Sequence, residues 1–185
     1  MNKLTDLIKG YRSDKGTRHS YIDEYERILS PIKQDVKNIL EVGIFDGGSI
    51  QMWTRYFEKA NVYGVDNAKY HEIPTFLKEY DRITTYKANA YNLDFIYDNF
   101  TCNNIKFDIV IDDGSHIKED VIFFAHEYSK LLTTGGLLFI EDIQDYKWVN
   151  DIIDAFPDNV KKNTVMDFRR NKKRYDDILL MAESF

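Results

Sequence analysis

From residue 38 onward the chain alternates short apolar runs with stretches in which apolar residues recur every three to four positions. Runs of the first kind, at residues 38–42, 62–66, 83–87, 107–111 and 136–140, are rich in Ile, Val, Leu and Phe. That composition suits strands buried on both faces, as in a parallel sheet. The intervening segments 49–57, 74–80, 93–100, 118–132 and 148–156 carry the helical period. The pattern therefore predicts successive βα units. After Pro157 it changes: residues 163–168 and 177–183 are two strand-like runs joined by a polar turn, which predicts an antiparallel hairpin. Ahead of the sheet, residues 3–11 and 21–29 are amphipathic and flank the polar segment 13–20, so residues 1–37 read as helical lid or flanking structure on a core spanning 38–185.

Five βα units closed by a hairpin give a Rossmann-like α/β fold with a mostly parallel seven-stranded sheet, the class I methyltransferase variation on the doubly wound plan. A dinucleotide dehydrogenase would ordinarily continue with a sixth parallel strand. At 185 residues the chain fits a single domain.

Charge and cysteine content narrow the partners. A formal net charge of -6 argues against a nucleic-acid backbone as partner, because such binding needs clustered Lys and Arg. The basic cluster at residues 169–174 lies between two strands and reads as a solvated hairpin loop. Cys102 is the only cysteine, so no internal disulfide is available. Without an apolar run of membrane-spanning length or a signal-peptide core, a cytoplasmic location is expected. A homo-oligomer is left open.

The candidate chemistry begins with ILEVGIFDGGS at residues 39–49, a strand, a glycine turn and a helix start. Its glycines allow backbone to approach a ligand closely. Asp66 ends the second strand 23 residues beyond Gly43, the place for an acid that accepts ribose hydroxyls. Glu41 precedes the first glycine, and the pattern is Gly43-x-x-x-Gly47-Gly48 in place of G-x-G-x-x-G. A carboxylate there suits an ammonium group and not a pyrophosphate, which favours S-adenosylmethionine over NAD. Glu41, Gly43, Ser49 and Asp66 are thus candidate cofactor contacts, and Asn89, after the third strand, is a candidate for the adenine amine.

Asp112, Asp113, Glu141 and Asp142 stand at the carboxyl ends of the fourth and fifth strands, where ligands of open α/β sheets bind. Four converging carboxylates call for protonation or a hard divalent cation such as Mg²⁺. Met52 and Trp53 read as core, and His71 and His126 as surface or helix-packing residues.

The segments SDKGTRHSY (13–21), LEVGIFDGGSIQMW (40–53), IDDGSH (111–116) and IEDI (140–143) resemble those of the metal-dependent sugar O-methyltransferases typified by the mycinamicin and macrocin enzymes. The resemblance spans nearly the whole chain. It implies Asp113, Glu141 and Asp142 as magnesium ligands, His116 as general base and Asp112 facing the methionine portion of the cofactor. It also implies that Lys15, Gly16 and Thr17 fold over the cofactor with Tyr21 close behind, and makes His19 a candidate for the pocket wall. The family's Gly-Asp-Gln after the third strand appears here as Ala88-Asn89-Ala90, and the large N-terminal extension of the mycinamicin enzyme is missing. The implied acceptor is a small molecule or glycan bearing a sugar hydroxyl. A catechol-type acceptor, and a non-catalytic cofactor-binding module, are the competing readings.

Overall fold

The computed structural model describes residues 3–69 and 71–185. In chain order its elements are α1 (Leu4–Leu7), α2 (Ile22–Leu29), β1 (Asn38–Val42), α3 (Gly48–Tyr56), β2 (Asn61–Asp66), β3 (Ile83–Lys87), α4 (Leu93–Ile96), β4 (Phe107–Asp112), α5 (Lys118–Tyr128), β5 (Leu132–Ile140), α6 (Trp148–Ala155), β6 (Val160–Asp167), α7 (Arg169–Lys172) and β7 (Ile178–Ser184). The seven strands form one sheet in the order β3-β2-β1-β4-β5-β7-β6. The first five run parallel, and β7 pairs antiparallel with both β5 and β6. This is the doubly wound sheet with a terminal hairpin expected from the pattern.

Strand parity sorts the core into two layers. Ile39, Ile109, Ile111, Leu137 and Phe139 face one side, where they pack with Leu4, Tyr25 and Leu29 of the first two helices and with Trp53 of α3. Leu40, Val42, Val110, Leu138 and Ile140 face the other, against Phe100, Phe124 and Ile152. Helix α2 presents Ile22, Tyr25 and Leu29 at i, i+3 and i+7, one stripe that the sheet buries.

Four local expectations change. The amphipathic segment 3–11 holds a single α-turn followed by a 3₁₀ turn, Ile8–Gly10. The helix expected at 74–80 is a 3₁₀ turn, Thr75–Glu79, with only Leu77 buried to hold it. The helix expected at 93–100 widens after Ile96 into a π turn, Tyr97–Thr101, as the Cys102 N–H donates to the Tyr97 carbonyl. Helix α5 stops at Tyr128, and β5 begins at Leu132, four residues before the apolar run that predicted it. No helix among the described residues is long and apolar enough to cross a membrane.

Register places the site. Val65, Val42, Asp112 and Ile140 lie side by side across β2, β1, β4 and β5. One residue further along, Asp66, Gly43, Asp113 and Glu141 therefore form a row at the carboxyl edge. Strand β1 has β2 on one side and β4 on the other, so the chain reverses its direction of winding there, and the crevice beyond that point is where such sheets bind ligands.

Candidate active site

A cavity of about 1010 Å³ opens at this crevice. Its floor is the glycine loop. Gly43 has φ +93°, and a Cβ there would strike the Asp113 carbonyl; Gly48 lies against the Arg12 carbonyl in the same way. Both contacts hold the loop flat against its neighbours, and both exclude any larger residue. The segment from Tyr11 to Asp14, with Thr17, forms the opposite wall. Thr17 lines the cavity while its hydroxyl donates to the Ser13 carbonyl.

Asp66 faces the cavity but serves its own loop as well. One carboxylate oxygen accepts the N–H groups of Ile44 and Phe45 at 2.8 and 3.1 Å, and the other accepts that of Ala68 at 2.7 Å. Burial works against its charge, but these donors outweigh it and hold Asp66 below the usual carboxylate range. His71, read from sequence as a surface or packing residue, lines the cavity with Nε2 3.3 Å from Asp66. Asn89 also lines it, and its Oδ1 accepts the Tyr91 N–H at 3.0 Å.

Behind the floor, Lys15 is fully buried. Its ammonium meets Asp113 Oδ2 at 2.6 Å, Glu141 Oε1 at 2.9 Å and Glu41 Oε1 at 3.1 Å. Burial opposes the charged amine, and the three carboxylates overcome that opposition to raise its pKa well above that of a free lysine. Glu41, expected to receive an ammonium group, thus receives one from this chain. Its other oxygen accepts from Ser49 Oγ at 2.7 Å and Trp53 Nε1 at 3.2 Å. Tyr25 donates to Glu141 at 2.6 Å.

Asp113, His116 and Asp142 present ligand atoms within 4.8 Å of one another, and so, separately, do Glu41, Asp113 and Glu141. His116 Nε2 stands 4.0 Å from both Asp113 Oδ1 and Asp142 Oδ2, on the cavity wall. His116 and Asp142 have φ of +55° and +54°, left-handed values that non-glycine residues adopt at a cost and that concentrate at functional sites. Asp142 is braced from behind: the Tyr21 hydroxyl donates to Oδ1 at 2.7 Å, and His19 Nδ1 lies 2.9 Å from the same oxygen. Burial disfavours the charge on His19, yet Asp142 overrides it and raises the His19 pKa.

The turn at residues 169–174 is not simply solvated. Lys172 donates to the carbonyls of Gly16, Thr17 and His19 at 2.7, 2.9 and 2.6 Å, one ammonium satisfying three converging acceptors. Arg169 and Arg174 pair with Asp167 and Asp176. Next to them, Ser20 donates to Asp177 through both its N–H and its hydroxyl.

Superposed on solved structures, the chain matches the MycE methyltransferase of the mycinamycin pathway, crystallised with Mg and SAH, with a TM-score of 0.77 and 22% identity over 99% of this chain and 54% of that one. It matches an O-methyltransferase of Bacillus cereus in complex with SAH at a TM-score of 0.69 and 16% identity, over 99% of this chain and 90% of that one. The fold is that of the class I methyltransferases.

In sequence, no family model matches. The chain is 34% identical over 154 residues to the 8-demethyl-8-alpha-L-rhamnosyl tetracenomycin-C 2'-O-methyltransferase of Streptomyces olivaceus, a match covering 78% of this chain and 39% of that protein. Demethylmacrocin O-methyltransferase of Streptomyces fradiae is 32% identical over 154 residues, covering 78% and 37%. These two relatives are sugar O-methyltransferases of the tetracenomycin and macrocin type. The chain spans about two-fifths of the length of these curated relatives.

Sequence reasoning missed Tyr91. In this methyltransferase fold its hydroxyl donates to Asp112 Oδ1 at 2.7 Å and accepts the Ser115 N–H at 3.0 Å, joining the third and fourth strand ends. Asp112 is buried, and its Oδ2 has no hydrogen-bond partner among the described residues. Burial pushes its pKa up to about 7. An unfolded aspartate titrates near about 3.9, so between roughly pH 4 and 7 the native chain keeps a proton that the unfolded chain has lost, and stability falls as pH rises across that window. Asp112→Asn keeps the oxygen that Tyr91 needs and removes the titration. In cofactor-free protein the variant is expected to melt several degrees above wild type at pH 8, at ~2–4 °C per kcal/mol, with the gap shrinking at pH 5. Equal gaps at both pH values would show that Asp112 is not a buried ionisable group of this kind.

Proposed function

We propose that this chain transfers a methyl group from S-adenosylmethionine to a sugar hydroxyl of a nucleotide sugar, a polysaccharide unit or a glycosylated metabolite, assisted by Mg²⁺ and with His116 as general base. One observation carries the reading: Asp113, His116 and Asp142 converge on the wall of a cavity whose floor is the glycine loop and whose far side holds Asp66. The match to MycE, crystallised with Mg, SAH and mycinamycin VI, supports the same combination of ligands.

The donor set fits a hard cation. Asp113 and Asp142 offer carboxylate oxygens to the cavity, neither side chain being fully buried, and Glu141, next to Asp142, is the third ligand that the resemblance implies. A Mg²⁺ ion held by these residues would supply Lewis acidity to the acceptor hydroxyl. His116, 30% exposed, accepts the hydroxyl proton at Nε2 beside those carboxylates. Asp66 is left with lone pairs for ribose hydroxyls, Asn89 lies at the adenine end, and the charge of Asp112 answers the ammonium of the methionine portion. Arg12 to Asp14 and Thr17 close the cofactor side against water. In this reading residues 1–37 are the lid of a single catalytic domain that works in the cytoplasm on a small-molecule or glycan acceptor, with no nucleic-acid partner.

Labelled S-adenosylmethionine, Mg²⁺ and a panel of sugar nucleotides, glycosylated metabolites and catechols provide the test. Label is expected in the sugar products, lost with EDTA and restored by Mg²⁺. Transfer to catechols alone would reject the sugar acceptor. Cofactor binding without transfer to any acceptor would reject the catalytic reading.

A further inference from the structure

We propose that the acceptor sugar carries a phosphate or diphosphate, and that the turn between β6 and β7 reads it with Arg169, Arg170, Lys173 and Arg174. Residues 167–177 hold five cationic side chains against three aspartates, in a chain whose net charge is -6. The turn is seated on the wall of the cavity. Lys172 binds the carbonyls of Gly16, Thr17 and His19, and Thr17 and Arg18 line the cavity. Arg174 is near enough to act electrostatically on Asp142, Asp14 and His19. On the same side Tyr175 donates to Gln144 at 2.8 Å, and Gln144 donates to the Asp142 carbonyl at 2.9 Å. The turn therefore stands one side chain beyond a residue of the proposed divalent site.

The cations are arranged to recognise an anion as well as to attract one. Arg174 uses Nε and Nη2 on the two oxygens of Asp176 at 3.0 and 2.7 Å, and Arg169 uses the same pair on Asp167 at 2.9 and 2.7 Å. Each guanidinium is thereby held in one orientation, with Nη1 lacking an acceptor among the described residues. Arginines fixed in this way lose little further freedom on binding, and their paired donors match phosphate oxygens. The Arg169 guanidinium also lies over the Tyr146 ring at 5.1 Å, which orients it further. Arg170 and Lys173 are exposed and have no hydrogen-bond or ion-pair partner among the described residues, so both can close on an anion. Asp145 acts on Arg169 as well, but the five cations still outnumber the acids beside them. This inference rests on the function proposed above in taking Asp142 as part of the site that receives the hydroxyl. It narrows the acceptor to a phosphorylated sugar, whether a sugar nucleotide or a phosphate-bearing glycan unit.

Two measurements test it. Calorimetry with inorganic pyrophosphate, in EDTA and saturating S-adenosylhomocysteine, isolates the turn from the metal and cofactor sites. Wild-type protein is expected to bind one pyrophosphate per chain, and more weakly as salt is added. The double variant Arg170→Gln, Lys173→Gln, whose altered side chains hold nothing in the fold, should weaken that binding by about tenfold, and Arg169→Gln should weaken it as well. No binding by wild type, or equal binding by the double variant, would overturn the inference. In the second measurement, with S-adenosylmethionine and Mg²⁺ present, sugar nucleotides, sugar 1-phosphates and methyl glycosides of the same sugars are compared as acceptors. The phosphorylated forms are expected to show KM values about tenfold or more below those of the glycosides, and the double variant should narrow the gap. Equal KM values, or a preference for the neutral glycoside, would also overturn it. Both phosphorylated forms serving equally, or sugar nucleotides alone, would support it and tell which source supplies the phosphate. Absence of transfer to any sugar would sink the proposed methyl transfer, while pyrophosphate binding that the double variant loses would still stand as support for the anion site.

Discussion

Asp113→Ala is expected to cut methyl transfer by roughly 10³-fold or more at saturating cofactor, because a cation holding the acceptor supplies several kcal/mol and each ~1.4 kcal/mol is a factor of ten. The effect is large because this one side chain belongs to both carboxylate clusters. Its loss takes an oxygen from the cavity wall and also frees a lysine ammonium that had been 2.6 Å away. Cofactor affinity should change little, since Asp66 and the glycine loop are untouched. Turnover measured against Mg²⁺ concentration, with calorimetry for the cofactor, checks both halves. Full activity in the variant, or full activity of the wild type in excess EDTA with metal content verified, would remove the cation from the reaction.

His116→Ala should lower turnover by about 10² to 10⁴, the usual range for a lost general base. The sign of the pH dependence separates a base from a prop. A base works deprotonated, so in the wild type log kcat should climb with pH through one ionisation and then level off. The variant should lack that limb and respond only to hydroxide. Because His116 sits at φ +55°, alanine there also pays for a left-handed backbone, and His116→Asn is the better control for local structure. If either variant keeps both the native rate and the native pH limb, His116 is not the proton acceptor and serves to shape the loop after β4.

The sheet was legible because strands buried on both faces leave uninterrupted Ile, Val, Leu and Phe, as at residues 107–111. The hairpin was legible for a complementary reason: after Pro157 the helical period is missing between the last two runs. The acids were legible as a group because they stand at strand ends. That three of the acids gather around one lysine was not, although a signal existed. Residues 41, 113 and 141 share the parity of Ile39, Ile111 and Phe139 and so fall on the face that carries Tyr25 and Trp53. Parity does not reveal what neutralises them. Lys15 is 98 positions from Asp113 and 126 from Glu141, and nothing local marks it as a buried cation. Tyr91 escaped notice likewise, because its partner Asp112 is 21 residues away across the crevice. The helix expected at 74–80 failed for want of burial, since propensity over so short a stretch does not hold a helix without a packed face.

The three carbonyls that Lys172 gathers, and the two hydrogen bonds from Ser20 to Asp177, tie the polar segment after α1 to residues more than 150 positions later. On the ribosome that segment emerges well before the residues that anchor it. At about 5–20 residues per second, it waits roughly ten seconds or longer before the hairpin that clamps it has been made. During that interval the parallel strands can pair while the lysine destined for their acidic edge has no tether at the hairpin end. The wall that this segment gives the pocket is therefore completed only when β6 and β7 have joined the five parallel strands.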